Sequence, residues 1–212
     1  MNFKALALIT VSLAVLTSCA SPSAAPAGSS TSASPVAAST AARVQKPTPT
    51  PTPTPKVTVA QIGDVAVNGG IQIKATSVVA SPTVTLNTSS YRSGSGYETY
   101  EDVPAQSGGK YIIVTTVVTN NSKAPIDLTC SFPIDIKTFN VASQVYSPIE
   151  DNRKIKDNPE CNAQLQPGFE SPMTWAFMVP EKTTILGAAF SEVDFSASKR
   201  LEPTIISFGA GF

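Results

Sequence analysis

Met173, Trp175, Phe177 and Val179 alternate with Thr174, Ala176 and Met178. Side chains that recur with period two emerge on one face of an extended strand. This stretch therefore predicts a β-strand with its large residues turned inward. Pro167-Gly168 before it and Pro180 after it are turn and stop signals. Lys110 to Asn121 is packed with β-branched residues and predicts a central strand covered on both faces. Further strands are expected over Ile71 to Val79, Thr83 to Leu86, Ile134 to Phe139, Ile185 to Phe190 and Thr204 to Phe208. Val65 to Val67 and Val193 to Phe195 carry weaker signals. No window sustains a 3.6-residue apolar stripe. Seven to nine short strands joined by Gly, Pro, Asn and Ser loops predict an all-β fold, an immunoglobulin-like two-sheet β-sandwich.

This pattern begins only near Val57. Between Ala20 and Pro55, 30 of 36 residues are Ala, Ser, Thr or Pro, with no aromatic and no acidic residue. Such a composition buries too little apolar surface to offset the entropy of ordering, so residues 19–56 are expected to be a disordered linker. Pro47 to Pro55 alternates strictly with threonine. Proline fixes φ and biases the residue before it toward extended geometry, which predicts a semi-rigid polyproline II rod of ~28 Å.

Ahead of the linker, Lys4 precedes a compact apolar run from Ala5 to Leu16. As a helix the run reaches only ~18 Å against a bilayer core of ~30 Å, so a cleaved signal over residues 1–18 is expected rather than a membrane span. Leu16-Thr17-Ser18-Cys19 has the form of a lipobox, an aliphatic residue and two small ones before a cysteine. Cys19 would then become the N-terminus and carry diacylglycerol on sulfur, a durable anchor to the extracytoplasmic face of the cell membrane. The alternative is an ordinary signal peptide with a chance cysteine. No other segment is long and apolar enough to span.

The remaining residues, 57–212, suffice for one domain with a sizeable core. They hold all 15 acidic residues of the chain, and no clustered basic stripe; nucleic acid is not an expected partner. Cys130 and Cys161 are an even pair in an exported domain and read as a disulfide. A metal pair and two free thiols are the alternatives.

The domain resembles the immunoglobulin-like sandwich of actinobacterial-type extracytoplasmic lipoproteins, domain of unknown function 4352. The resemblance spans roughly Gly63 to Phe208. It rests on Gly109-Lys110-Tyr111-Ile112-Ile113-Val114 leading through Val117 and Val118 to Thr119-Asn120-Asn121, and on Cys161 ahead of Leu165-Gln166-Pro167-Gly168 and the strand ending Phe177-Met178-Val179-Pro180. It implies a secreted or membrane-tethered β-sandwich and carries over no catalytic residue.

A chain with no histidine lacks the commonest general base and the usual zinc and copper ligand. Ser196-Ala197-Ser198-Lys199 fits the serine–lysine acylase spacing, but that chemistry needs both residues one helical turn apart and companion motifs; here the run lies among strands. Glu150, Asp151, Asn152, Asp157 and Glu160 suggest calcium only until Arg153, Lys154 and Lys156 are counted among them; a self-neutralising solvated loop is the expectation. Neither a metal nor a cofactor is expected. Asn87-Thr88-Ser89 and Asn120-Asn121-Ser122 are formal glycosylation sequons, discounted in a bacterial lipoprotein.

Thr88 to Gly109 is the segment most suggestive of contact. Tyr91, Tyr97 and Tyr100 lie among Ser93, Gly94, Ser95 and Gly96, with Glu98, Glu101 and Asp102 following. Tyr, Ser and Gly are what binding loops use, and a loop this long in a compact domain is functional or disordered. It reads either as a mobile hairpin loop whose tyrosines lie back on the sandwich or as a contact surface for an envelope protein or glycan, the acidic residues selecting a basic partner. The expected function is non-catalytic binding or envelope interaction by a lipid-anchored domain. A carboxylate-dependent envelope hydrolase or transferase and a transporter-associated solute-binding lipoprotein are the alternatives; the latter would be larger and helical.

Overall fold

The computed structural model describes residues 59–193 and 201–212. The expected signal, Cys19, the linker to residue 56, and the Ser196 to Lys199 run lie outside the described residues, as do Asp194 and Phe195 of the weakest strand signal; Val193 itself follows the end of a strand.

Thirteen strands are present among the described residues. In chain order they are β1 Val59–Gln61, β2 Val65–Asn68, β3 Ile71–Ser81, β4 Thr83–Asn87, β5 Tyr100–Pro104, β6 Gly109–Asn120 and β7 Ile126–Asp127. There follow β8 Ile134–Asn140, β9 Val145–Tyr146, β10 Gln164–Leu165, β11 Glu170–Pro180, β12 Ile185–Glu192 and β13 Thr204–Ser207. A single 3-10 turn, Asn152–Lys154, follows β9.

The strands form a five-stranded sheet in the order β1-β13-β12-β8-β9 and a four-stranded sheet in the order β11-β6-β3-β2. Two ribbons, β4-β5 and β7-β10, complete the fold. β6 is central, as its β-branched run predicts, and pairs β11 on one side and β3 on the other. The alternation in β11 places Met173, Trp175, Phe177 and Val179 in the core, where Ile73, Ile112, Val114 and Val118 meet Ile136, Ala188, Phe190 and Ile206 of the other sheet. Each of the larger of these side chains contributes about 1.5–3 kcal/mol on burial. Trp175 Nε1 donates to Thr116 Oγ1 at 3.2 Å, and that hydroxyl donates to the Met173 carbonyl at 2.7 Å. The indole is thereby buried with its polar atom satisfied.

β3 changes inward parity along its length. Ile71, Ile73 and Ala75 face the core, and then Val78 does. The register slips between Ala75 and Ser77, and an inserted residue shifts every later side chain by one face. Thr76, the extra residue, donates its hydroxyl to the Thr115 carbonyl.

The outer face of the four-stranded sheet is only partly covered. Val84, Tyr111, Ile155 and Ala176 form a second small core there, flanked by Leu86, Ile113 and Met178. The β4-β5 ribbon and the residues near Ile155 cover the Tyr111 end of β6; Thr115, Val117 and Thr119 on the same face are half-buried. The expected cover on both faces thus holds for one end of the strand, because the ribbon is too short to reach the other.

The outer edge of β11 is closed by a backbone bridge between Pro148 and Phe177, where the Ile149 N–H donates to the Ala176 carbonyl at 2.8 Å, and further along by a side chain. Asn158 accepts the Thr174 N–H at 2.7 Å and donates to the Thr174 carbonyl at 2.8 Å, a substitute for a neighbouring strand on an edge that would otherwise pair with another chain. At the β2 end, Asn68 accepts the Glu192 N–H at 2.9 Å while Glu192 Oε2 accepts the Gly70 N–H at 2.7 Å. These bonds join the two sheets.

Candidate functional site

The tyrosine-bearing segment is not one long loop. Tyr100, Glu101 and Asp102 belong to β5, paired in register with Asn87, Leu86 and Thr85 of β4. The expectation of an irregular stretch from Thr88 to Gly109 is corrected here. Only Tyr100 and Val103 of this strand are half-buried and the rest are exposed, so there was no period-two alternation to read. Asp102 accepts the Thr85 hydroxyl at 2.6 Å across the pair, and the Tyr100 ring lies under Lys156 Nζ, 5.9 Å from its centroid.

The loop proper joins β4 to β5. Its turn is organised by Glu98, whose carboxylate accepts the N–H groups of Gly94 and Gly96 at 2.9 and 2.7 Å and the Ser95 hydroxyl at 3.1 Å. Hydrogen bonds from its own N–H, Gly94, Ser95 and Gly96, working against desolvation, hold the Glu98 carboxyl below its ordinary range. Gly94 and Gly96 both have positive φ, the conformation this chelating turn requires. At its base, Asn87 donates to the Tyr91 carbonyl at 2.7 Å and accepts from the N–H and hydroxyl of Ser89. Across the domain, Glu160 accepts the Ser93 N–H at 2.7 Å. The loop is tied at three points, and its aromatic rings project: Tyr91 is 58% and Tyr97 74% exposed, with centroids 5.7 Å apart. Tyr91 and Tyr97 do not lie back on the sandwich; Tyr100 is half-buried.

Where this loop meets the 3-10 turn there is a cleft of about 250 Å³. Arg92 enters from the loop and Arg153 and Lys154 from the turn, beside Ser89, Ser93, Tyr91 and Glu160. Asp151 pairs with Lys154 at 2.8 Å and lies 3.8 Å from Arg153. Of the cluster from Glu150 to Glu160, Asp151 is held in ion pairs and Glu160 by the Ser93 N–H, while Glu150 and Asp157 are exposed. Arg92, Arg153, Lys154 and Ser93 were not singled out as site residues from the sequence. Alternating charges there read as solvent-facing, and nothing local brings residue 92 to residue 153.

The acidic residues facing the loop are mostly engaged within the protein, with Glu101 left exposed. These carboxylates keep their negative charge, since their donors are neutral N–H and O–H groups, and the cleft beside them carries cations.

Cys130 and Cys161 are joined, with Cα atoms 5.4 Å apart, inside the span a disulfide needs. The bond clamps the loop after β7 to the loop before β10. Asp127 lies beside it, its carboxylate oxygen within 4.8 Å of both sulfurs. That carboxylate is buried, yet it accepts from the N–H groups of Asn162, Cys130 and Thr129 and from the Thr129 hydroxyl. Desolvation pushes its pKa up, and the four hydrogen bonds outweigh it, so the carboxyl stays below its ordinary value.

Both sequon asparagines are structural. Asn120 is fully buried; it donates to the carbonyls of Ala124 and Leu165 and accepts the N–H and hydroxyl of Ser122. Asn87 makes the same turn with Ser89. In each, the serine two residues on serves the asparagine, and no side-chain amide is presented for sugar.

No protein-family model matches the chain, and no curated protein matches it. Among solved structures, the chain is similar to an uncharacterized β-sandwich protein from Clostridium difficile 630, 14% identical over 73% of this chain and 97% of that one, with a TM-score of 0.45. It is also similar to the secreted protein MPT63 from Mycobacterium tuberculosis, 11% identical over 73% of this chain and 99% of that one, with a TM-score of 0.43. Neither likeness speaks to function.

Proposed function

We propose that this chain is an extracytoplasmic lipoprotein, anchored to the cell membrane through Cys19, whose sandwich domain acts by binding an envelope protein or glycan and performs no catalysis. The domain resembles that of the lipoprotein family named by its sequence motifs. One observation carries the binding reading. Tyr91 and Tyr97 stand exposed and adjacent on a loop whose backbone is held by Glu98 and Glu160. Aromatic rings on a pre-ordered backbone supply contact area at low entropic cost. Three carboxylates of the domain are engaged within it: Asp127 by four donors, Glu160 by Ser93, and Asp151 by Lys154.

The anchor is tested by fractionation. Cys19→Ala should move the protein from membranes to the medium or periplasm; equal retention of the variant would end the lipoprotein reading. The contact surface is tested by replacing Tyr91 and Tyr97 with serine. The melting temperature should hardly change, because the rings are exposed, while capture of partners from an envelope extract should weaken by about tenfold or more, the loss of one aromatic anchor. Undiminished capture would place the binding surface elsewhere or dismiss it.

A further inference from the structure

The cleft between the tyrosine loop and the 3-10 turn has a chemistry of its own. Its side-chain charges are Arg92, Arg153 and Lys154 against Glu160. Glu160 already accepts the Ser93 N–H, and Asp151 outside the lining takes Lys154 closely and Arg153 at a longer 3.8 Å. Arg92 has no ion-pair partner among the described residues. The Ser93 hydroxyl oxygen is buried and has no hydrogen-bond partner among the described residues. A buried polar group without a partner costs free energy, and Ser93 is one of the residues that line the cation-bearing cleft. Donors from two segments far apart in sequence therefore converge on one space with more positive than negative groups around it.

From these observations we infer that the cleft takes a phosphate-bearing ligand. A guanidinium offers paired donors to the oxygens of phosphate. A tetrahedral anion with several acceptors can use Arg92 and Arg153 together. The volume, about 250 Å³, lies below the ~300–1,000 Å³ typical of small-molecule sites. It suits one charged group with part of a ring, and Tyr91 in the same lining offers that ring a face. A phosphorylated sugar meets both conditions. The inference rests on the binding reading above, whose loop supplies Tyr91 and Arg92, and names the ligand class for it.

The test is a titration of the full-length, nitrogen-15-labelled chain with inorganic phosphate, ionic strength held constant with chloride. Amide resonances of residues 87–93 and 152–154 should shift and saturate. Arg92→Gln, an exposed change, should keep the melting temperature and weaken phosphate binding by about tenfold, as the loss of one charge-assisted contact predicts. Arg153→Gln should act in the same direction. Glucose 1-phosphate should bind more tightly than phosphate, and Tyr91→Ser should remove that advantage without abolishing phosphate binding. Shifts that do not saturate, that sodium acetate reproduces equally, or that persist unchanged in both arginine variants would overturn the inference. If phosphate fails while loss of the two exposed tyrosines still abolishes partner capture, the ligand class is wrong and the binding reading stands. Saturable phosphate binding beside undiminished capture would leave the anion site standing and overturn the tyrosine surface.

Discussion

The backbone N–H of Asn162 donates to the carboxylate of Asp127, 2.8 Å away and 35 residues earlier in the chain. Asn162 follows Cys161 directly, and the other carboxylate oxygen holds the N–H of Cys130 at 3.0 Å. One buried side chain thus binds the backbone on both sides of the disulfide. Asn162 adopts positive φ, 66°, an uncommon conformation that asparagine tolerates better than most residues, and the bond to Asp127 helps to hold it.

Asp127→Ala should therefore destabilise the domain by roughly 1–3 kcal/mol, because backbone donors lose their acceptor in a buried setting. Urea melts would measure this. The change should exceed that of an exposed carboxylate such as Glu101→Ala; equal effects would refute the role assigned to Asp127.

The same group predicts a pH dependence. Its folded-state pKa lies below the ordinary carboxyl value of 3.8, so the folded state binds this proton less readily than the unfolded state. The stabilisation is complete above the unfolded value and is lost as pH falls through the folded one. Denaturant midpoints measured downward from neutral pH should fall on the acid side of about pH 4 in the native chain. The decline should be shallower in Asp127→Asn, which cannot titrate.

Reduction of Cys130–Cys161, which closes a separation of 31 residues, should lower stability by roughly 3.5–4 kcal/mol on the chain-entropy account. β structure should persist at low temperature by circular dichroism, since neither sulfur belongs to the main core. Complete loss of β signal on reduction would contradict this.

Asn120→Ala should cost about 2–3 kcal/mol, because two carbonyls and the Ser122 donors lose a buried partner at once. The loss should appear in thermal or urea melts. An exposed asparagine such as Asn121 should show little change when replaced by alanine.

Glu98→Ala acts on the loop and not on the core. Amide exchange at Gly94 and Gly96 should accelerate, because both N–H groups lose their acceptor, while the melting temperature should stay nearly constant. Unchanged exchange would show that Glu98 does not organise the turn.

Most strands legible in the sequence have one face in the main core; β4, whose Val84 lies in the second cluster, is legible too. β3, β6, β8, β11 and β12 all declare themselves by alternation or by β-branched runs, and their observed limits extend the expected ones by few residues. β5 does not, since Tyr100, Glu101 and Asp102 turn mostly polar groups to solvent. The short β7, β9 and β10 leave too few residues for any period to appear. Of the candidate residues, Tyr91 and Tyr97 were legible by type and setting, and Cys130 and Cys161 by number and compartment. Arg92, Arg153 and Ser93 were not, because isolated cations and serines in loops look alike wherever they fold.

The sequence by itself determined the β class and the inward face of the long strands, and made a disulfide the expected state of the two cysteines beyond residue 57. Burial of alternate side chains is a local property, and the domain beyond residue 57 holds an even pair of cysteines. Tertiary structure alone decided that Asn87 and Asn120 are buried turn-makers, that Glu160 holds Ser93 across 67 residues, and that three cations from two segments line one cleft. The Asn87, Glu160 and cleft relations depend on how β4, β5 and the 3-10 turn stack over the outer face of the four-stranded sheet, and the Asn120 turn on the approach of Leu165. That stacking is set by contacts between residues far apart in the chain, which leave no periodic trace in the sequence.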